Sequence, residues 1–143
     1  MKSERGSASL EFIAAGVLLI VPLIYLVLVL GRVQAGALAA ESIARQAVRV
    51  YVTAPSLVQA ASRVGLAVDD GLTDFHFAPS DGVTKLSCAP ATSPCLKADT
   101  TVTVTQTITV QLPFVPPILG LDKFARVSVT GQASQRVALG AGV

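Results

Sequence analysis

The sequence predicts an α+β fold: a long N-terminal helix, membrane-spanning in its first half, packed on a small antiparallel sheet of about three strands. Three observations predict it. Phe12 to Leu30, FIAAGVLLIVPLIYLVLVL, runs for 19 residues without a charge. Beyond it, apolar residues keep a helical period as far as Tyr51, and after residue 72 the period falls to two. At 143 residues and 14.7 kDa the chain has room for one domain of ordinary size.

Composition narrows the function before any motif is read. Hydrophobic residues make up 52% and charged residues 14%, against roughly 25% charged in soluble domains, which points towards a membrane. A net charge of +2 is too small for the basic face that phosphate neutralisation requires, so nucleic acid is not an expected partner. One histidine, two cysteines and no tryptophan offer little for a metal site or a catalytic triad. No phosphate-binding glycine loop or nucleophile elbow occurs. The expectation is therefore a non-enzyme with no cofactor, no metal and no small-molecule substrate.

The first element is the apolar run 12–30. As a helix it reaches about 28 Å, close to the hydrocarbon thickness of a bilayer. A soluble protein would have to wrap this uniformly apolar cylinder, and the remaining residues are too few and too strand-like to do so. Lys2 and Arg5 precede the run while Arg32, Arg45 and Arg49 follow it, so basic residues do not orient it. The cysteines do. Cys88 and Cys95 bracket APATSP, a short loop that a disulfide can close for about 2.5 kcal/mol, and disulfides persist outside the reducing cytoplasm. The C-terminal part is accordingly expected on the extracytoplasmic side of the cytoplasmic membrane.

A removable signal peptide is the competing interpretation of this start, with Ala37-Leu38-Ala39 as the small-x-small cut before Ala40. The apolar run is too long for it, Arg32 interrupts the approach, and Glu11 abuts the run. A carboxylate at the edge of a spanning helix is costly without a partner and is a functional candidate by default. Five residues before Glu11 lies Gly6, which ends the charged leader MKSERG; Ser7 follows, and Phe12 comes directly after Glu11.

This start resembles a type IV prepilin: a short basic leader ending in glycine, a glutamate fifth after the cut, an aromatic residue next, then a membrane helix. Within that group, ERGSASLEF is similar to the opening of TadE-like minor pilins (pseudopilins) of the Tad (Flp) pilus assembly system, over roughly the first 50 residues. The resemblance implies cleavage by a prepilin peptidase between Gly6 and Ser7, and partners among other pilins, pilus assembly platform proteins and membrane lipid. It implies assembly roles for Glu11 and Phe12. The ammonium freed at Ser7 would neutralise the Glu11 carboxylate of its own chain or a neighbour and draw subunits into register. A capping role for Glu11 in the first helical turn is compatible with this. Two other classes compete: a single-pass anchored extracytoplasmic binding module, and a protein secreted after a cut at Ala39.

After Arg32, Val33, Ala37, Ala40, Ala44, Ala47 and Tyr51 keep 4-3-4-3-4 spacing, while Gln34, Glu41, Ser42, Arg45, Gln46 and Arg49 gather elsewhere. One helix from Leu10 to Tyr51 follows, about 63 Å long, with Glu41 and Arg45 placed for an i,i+4 pair. The alanine seam suits close packing, on this chain's own sheet or on another subunit. Thr53-Ala54-Pro55 breaks the helix, and Ser56 caps a second one over LVQAASRVGLAV, ending near Asp69-Asp70-Gly71. This divides the chain into a leader 1–6, a long helix 7–51, a linker with a short helix 52–71, and a β-rich head 72–143.

Within the head, LTDFHFA at 72–78 reads as a short strand with Phe75 and Phe77 on one face and a solvated His76 on the other. Residues 101–112 alternate threonines with Val102, Val104, Ile108, Val110 and Leu112, Gln106 being the exception. Residues 125–137 give a third strand with Val127, Val129, Ala133 and Val137 on one face and Gly131 marking a bulge or a close contact. Between them PFVPPILGLDKF is apolar for a loop. Phe114, Val115, Ile118 and Leu119 form either a binding patch or part of the small core. Asp69, Asp70, Asp74 and Asp81 lack the spacing of a calcium loop.

Overall fold

The structure, a computed structural model, describes residues 7–91, 95–115 and 125–138. The expected α+β architecture is present: helix α1 spans Ser7–Val52, helix α2 Leu57–Asp74, and strands β1 (Gly82–Ala89), β2 (Thr101–Gln111) and β3 (Arg126–Arg136) form one antiparallel sheet in the order β1-β2-β3. A single 3-10 turn, Pro79–Asp81, joins α2 to β1. The long helix is continuous through Pro22, whose missing N–H costs one backbone hydrogen bond midway along the apolar run. The 46 residues extend about 69 Å.

Only the second half of α1 belongs to the core. Ala39, Ala40, Ile43, Ala44, Ala47, Val48, Tyr51 and Val52 are buried, a stripe of helical period that lies against β2, β3 and α2. Of the anticipated seam, Ala40, Ala44, Ala47 and Tyr51 lie in this stripe, Val33 is half-buried and Ala37 is exposed. The alanines thus serve this chain's own sheet. The reason is distance: at Gly131, opposite Gln106 in the ladder, a β-carbon would collide with the backbone of Ala40 and Glu41, coming within 2.6 Å of the Ala40 carbonyl oxygen. Glycine is required there because two backbones meet, which is the close contact that the strand pattern announced.

β2 is the central strand, and it buries every second residue: Val102, Val104, Gln106, Ile108 and Val110 are inaccessible, while the threonines between them are half-buried on the opposite face. There Thr103 and Ser134 share a hydrogen bond of 2.8 Å, and Thr107 and Thr130 one of 3.2 Å. Gln106 keeps the inward parity despite its polarity. The Thr84 hydroxyl donates to its Oε1, and its Nε2 has no partner among the described residues, a cost of about 1–3 kcal/mol.

The strand expected at 72–78 is not formed. Val68 and Leu72 are both buried and continue the apolar stripe of α2 to Asp74. The helix ends with Phe77 N–H donating to the Leu72 carbonyl and His76 N–H to the Thr73 carbonyl, and with His76 in the left-handed region at φ 61°. This is a Schellman cap, in which the residues at the two ends of the longer bond also pack together. Leu72 and Phe77 are indeed both in the core. The aromatic alternation that resembled a strand belongs to a helix terminus, and His76 is an exposed turn residue. The first strand is instead Gly82–Ala89, whose weak burial pattern hides its period; it forms because β2 offers an open ladder from Gly82↔Ile108 to Ala89↔Thr101.

Candidate assembly and membrane interface

The first turns of α1 carry the charge expected to matter. Glu11 is exposed and has no ion-pair or hydrogen-bond partner among the described residues, and Phe12 beside it is 80% exposed. Ser7 is the first residue of the helix, while Gly6 lies outside the described residues. From Leu10 to Leu30 large apolar side chains point out on every side. The most apolar window of the helix has no part buried within the chain, and the helix is long and apolar enough to cross a membrane.

At the far end of that run Arg32 turns back to the head. Its guanidinium lies 5.6 Å from the centroid of the Phe77 ring, within cation–π range. Phe77 is held by the α2 cap, so the helix terminus and the end of the apolar run are tied together at one level. Gly36, one turn further on, is buried against Val110, Val129 and Phe77, and a β-carbon there would meet the Val110 side chain. These contacts leave no gap between the head and the point where charge reappears on α1. Sequence reading missed the Arg32–Phe77 pair, since nothing local links residues so far apart in the chain.

On the water-facing side the anticipated Glu41–Arg45 pair is present at 2.6 Å and exposed, worth about 0.3–0.5 kcal/mol. Ser56 caps α2, its Oγ accepting from Gln59 N–H at 3.3 Å. Cys88, one residue before the end of β1, is joined to Cys95, with sulfurs 2.07 Å apart and Cα atoms 5.7 Å apart. The bridge ties Cys95 to β1, and Leu96 next to it enters the core. Among the described residues no three of His, Cys, Asp and Glu converge as a metal site would require. The Asp81 carboxylate accepts from Ala78 N–H at 3.0 Å.

Of the apolar loop, Phe114 is 79% exposed and Val115 half-buried; Ile118 and Leu119 lie outside the described residues. Phe114 is therefore not part of the core. The base of the loop is closed by Leu112 N–H donating to the Ala125 carbonyl at 2.9 Å. The chain matches no protein-family model, no curated protein and no solved structure.

Proposed function

We propose that this chain is a TadE-like minor pilin, a pseudopilin that takes part in assembling a Tad (Flp) type IV pilus. In this reading it sits in the cytoplasmic membrane by one helix, head outside, after a prepilin peptidase has cut between Gly6 and Ser7. The observation that carries the reading is the inner half of α1: an apolar cylinder whose large side chains stand exposed, with Glu11 at its start carrying a carboxylate that has no partner among the described residues. A carboxylate so placed is stabilised by an ammonium at Ser7, of the same chain or of an adjacent pilin. The disulfide supports an extracytoplasmic head, and the protein is in this account a substrate of the peptidase and not an enzyme.

Mass spectrometry of the membrane-extracted protein tests the processing step: the mature chain begins at Ser7, having lost MKSERG. A terminus at Ala40 establishes the secreted form instead. In Glu11→Gln, cleavage persists while co-purification of partner pilins falls, because an amide cannot neutralise the new ammonium. Unchanged recovery of pilins in that variant moves the weight to an anchored binding module. That second reading rests on β1, an edge strand with Val83 and Leu86 exposed, the form of edge to which an extended peptide adds.

A further inference from the structure

The end of the head nearest the apolar run carries a feature on which the proposed function does not draw. Phe114 does not face the core; together with Val21, Ile24, Tyr25 and Leu28 of α1 it lines a cleft of about 280 Å³. Those α1 residues are within the uncharged run 12–30 and lie about 6–16 Å along the helix axis from Arg32, on the side away from the head. A side chain level with them is at hydrocarbon depth whenever the helix spans.

The path of β2 leads to this level. β2 passes Gly36 at Val110 and continues in the direction of the apolar run, and from Leu112 to Leu121 the sequence has no charged side chain. Two described charges lie on the head side of Phe114: Arg32 is held on Phe77, and Arg126 stands opposite Gln111 at the start of β3. Guanidiniums at that level suit lipid phosphates, with apolar groups below them. Phe114 has φ 61°, a region that bulky residues rarely occupy, so its exposure follows from a specific turn in the backbone.

We infer that Phe114, just past the end of β2, is a second membrane contact, inserted beside α1 among the acyl chains of the leaflet on the head's side. It rests on the spanning helix of the proposed function and adds to it. A helix alone leaves the head free to tilt about Arg32; a second insertion point, joined to the sheet through β2, fixes the head's angle to the membrane.

Because the chain has no tryptophan, single replacements report position directly. Full-length Phe114→Trp, Tyr25→Trp and Val58→Trp are reconstituted in phosphatidylcholine–phosphatidylglycerol vesicles carrying brominated acyl chains, and challenged separately with aqueous iodide. Phe114 and Val58 are 79% and 82% exposed, so the larger ring displaces nothing in the core. Expected are strong quenching of Phe114→Trp and Tyr25→Trp by the brominated lipid, and iodide quenching confined to Val58→Trp. If Tyr25→Trp is quenched by lipid but Phe114→Trp by iodide, the turn lies in water and the inference fails while the spanning helix stands. A Phe114→Trp screened from both quenchers is covered by protein, which also overturns it. Iodide quenching of Tyr25→Trp overturns the spanning helix and the inference together.

Discussion

The two halves of α1 are one unbroken helix in two environments. Between Leu10 and Leu30 its large side chains are exposed on all sides; from Ala39 to Val52 a single stripe is buried and the opposite face carries Glu41, Arg45, Gln46 and Arg49. The composition of the buried stripe differs too. Where the helix meets the sheet it uses alanine, because Gly131 brings a strand backbone against Ala40; where its surface is exposed it uses leucine, isoleucine and valine. An apolar residue on this helix therefore means packing on the head in one half and, in the other, an exposed surface on a stretch long and apolar enough to cross a membrane.

The same substitution in each half sharpens the contrast most. Ile43 is 1% exposed and packs over Gly71, whereas Ile13 is 61% exposed. Ile43→Ala leaves a cavity between α1 and α2 and destabilises the head by about 2–5 kcal/mol. Ile13→Ala shifts head stability by less than about 0.5 kcal/mol. Thermal unfolding of the detergent-solubilised variants, followed by circular dichroism, checks both; equal losses would mean that the inner half also packs on the head.

The next effect in size tests the backbone contact. Gly131→Ala adds one methyl group to β3 and gives a helix backbone nowhere to move without lifting off the sheet, a loss of about 1–3 kcal/mol. Urea midpoints compared with those of Ala133→Gly, on the same face and only partly buried, separate this collision from an ordinary change in strand propensity. A neutral Gly131→Ala would show that α1 and β3 are further apart than described.

The smallest effect lies at the outer tip of α1. Burial pushes the Tyr51 hydroxyl above its ordinary 10.0, since the phenolate would lose its hydration. With the folded value raised above the unfolded one, this stabilisation is full below pH 10 and is lost as pH rises through the folded value. Tyr51→Phe flattens the fall in stability above pH 10, read from unfolding midpoints across that range. A wild-type profile that Tyr51→Phe leaves unchanged would assign the alkaline loss to other groups.

Features with a local cause were legible in the residues. Nineteen uncharged residues make the helix from Phe12 onward whatever surrounds it, Ser56 caps α2 by reaching its own third neighbour, and Glu41 meets Arg45 one turn away. β2 and β3 were visible because alternation survives when one face is buried. β1 was not, since both its faces are largely accessible and its order comes from hydrogen bonds to β2. LTDFHFA misled because Phe75 and Phe77 stand two residues apart, as on one strand face, whereas the contact that matters is the five-residue one between Leu72 and Phe77 across the helix cap.

The sequence by itself determined the long helix, its division into an apolar and an amphipathic half, the Cys88–Cys95 pair and the inward faces of β2 and β3, because each depends on residues close together or on one repeating period. The tertiary structure decided which surface the alanines cover, that Gln106 is buried with its Oε1 bonded by Thr84, that Arg32 rests on Phe77, and that Phe114 leaves the core to lie beside Leu28. These are meetings between segments from 22 to 91 residues apart, and their positions depend on how helix and sheet dock: a backbone approach at Gly131 sets the docking, and the docking sets the level of every side chain attached to either partner.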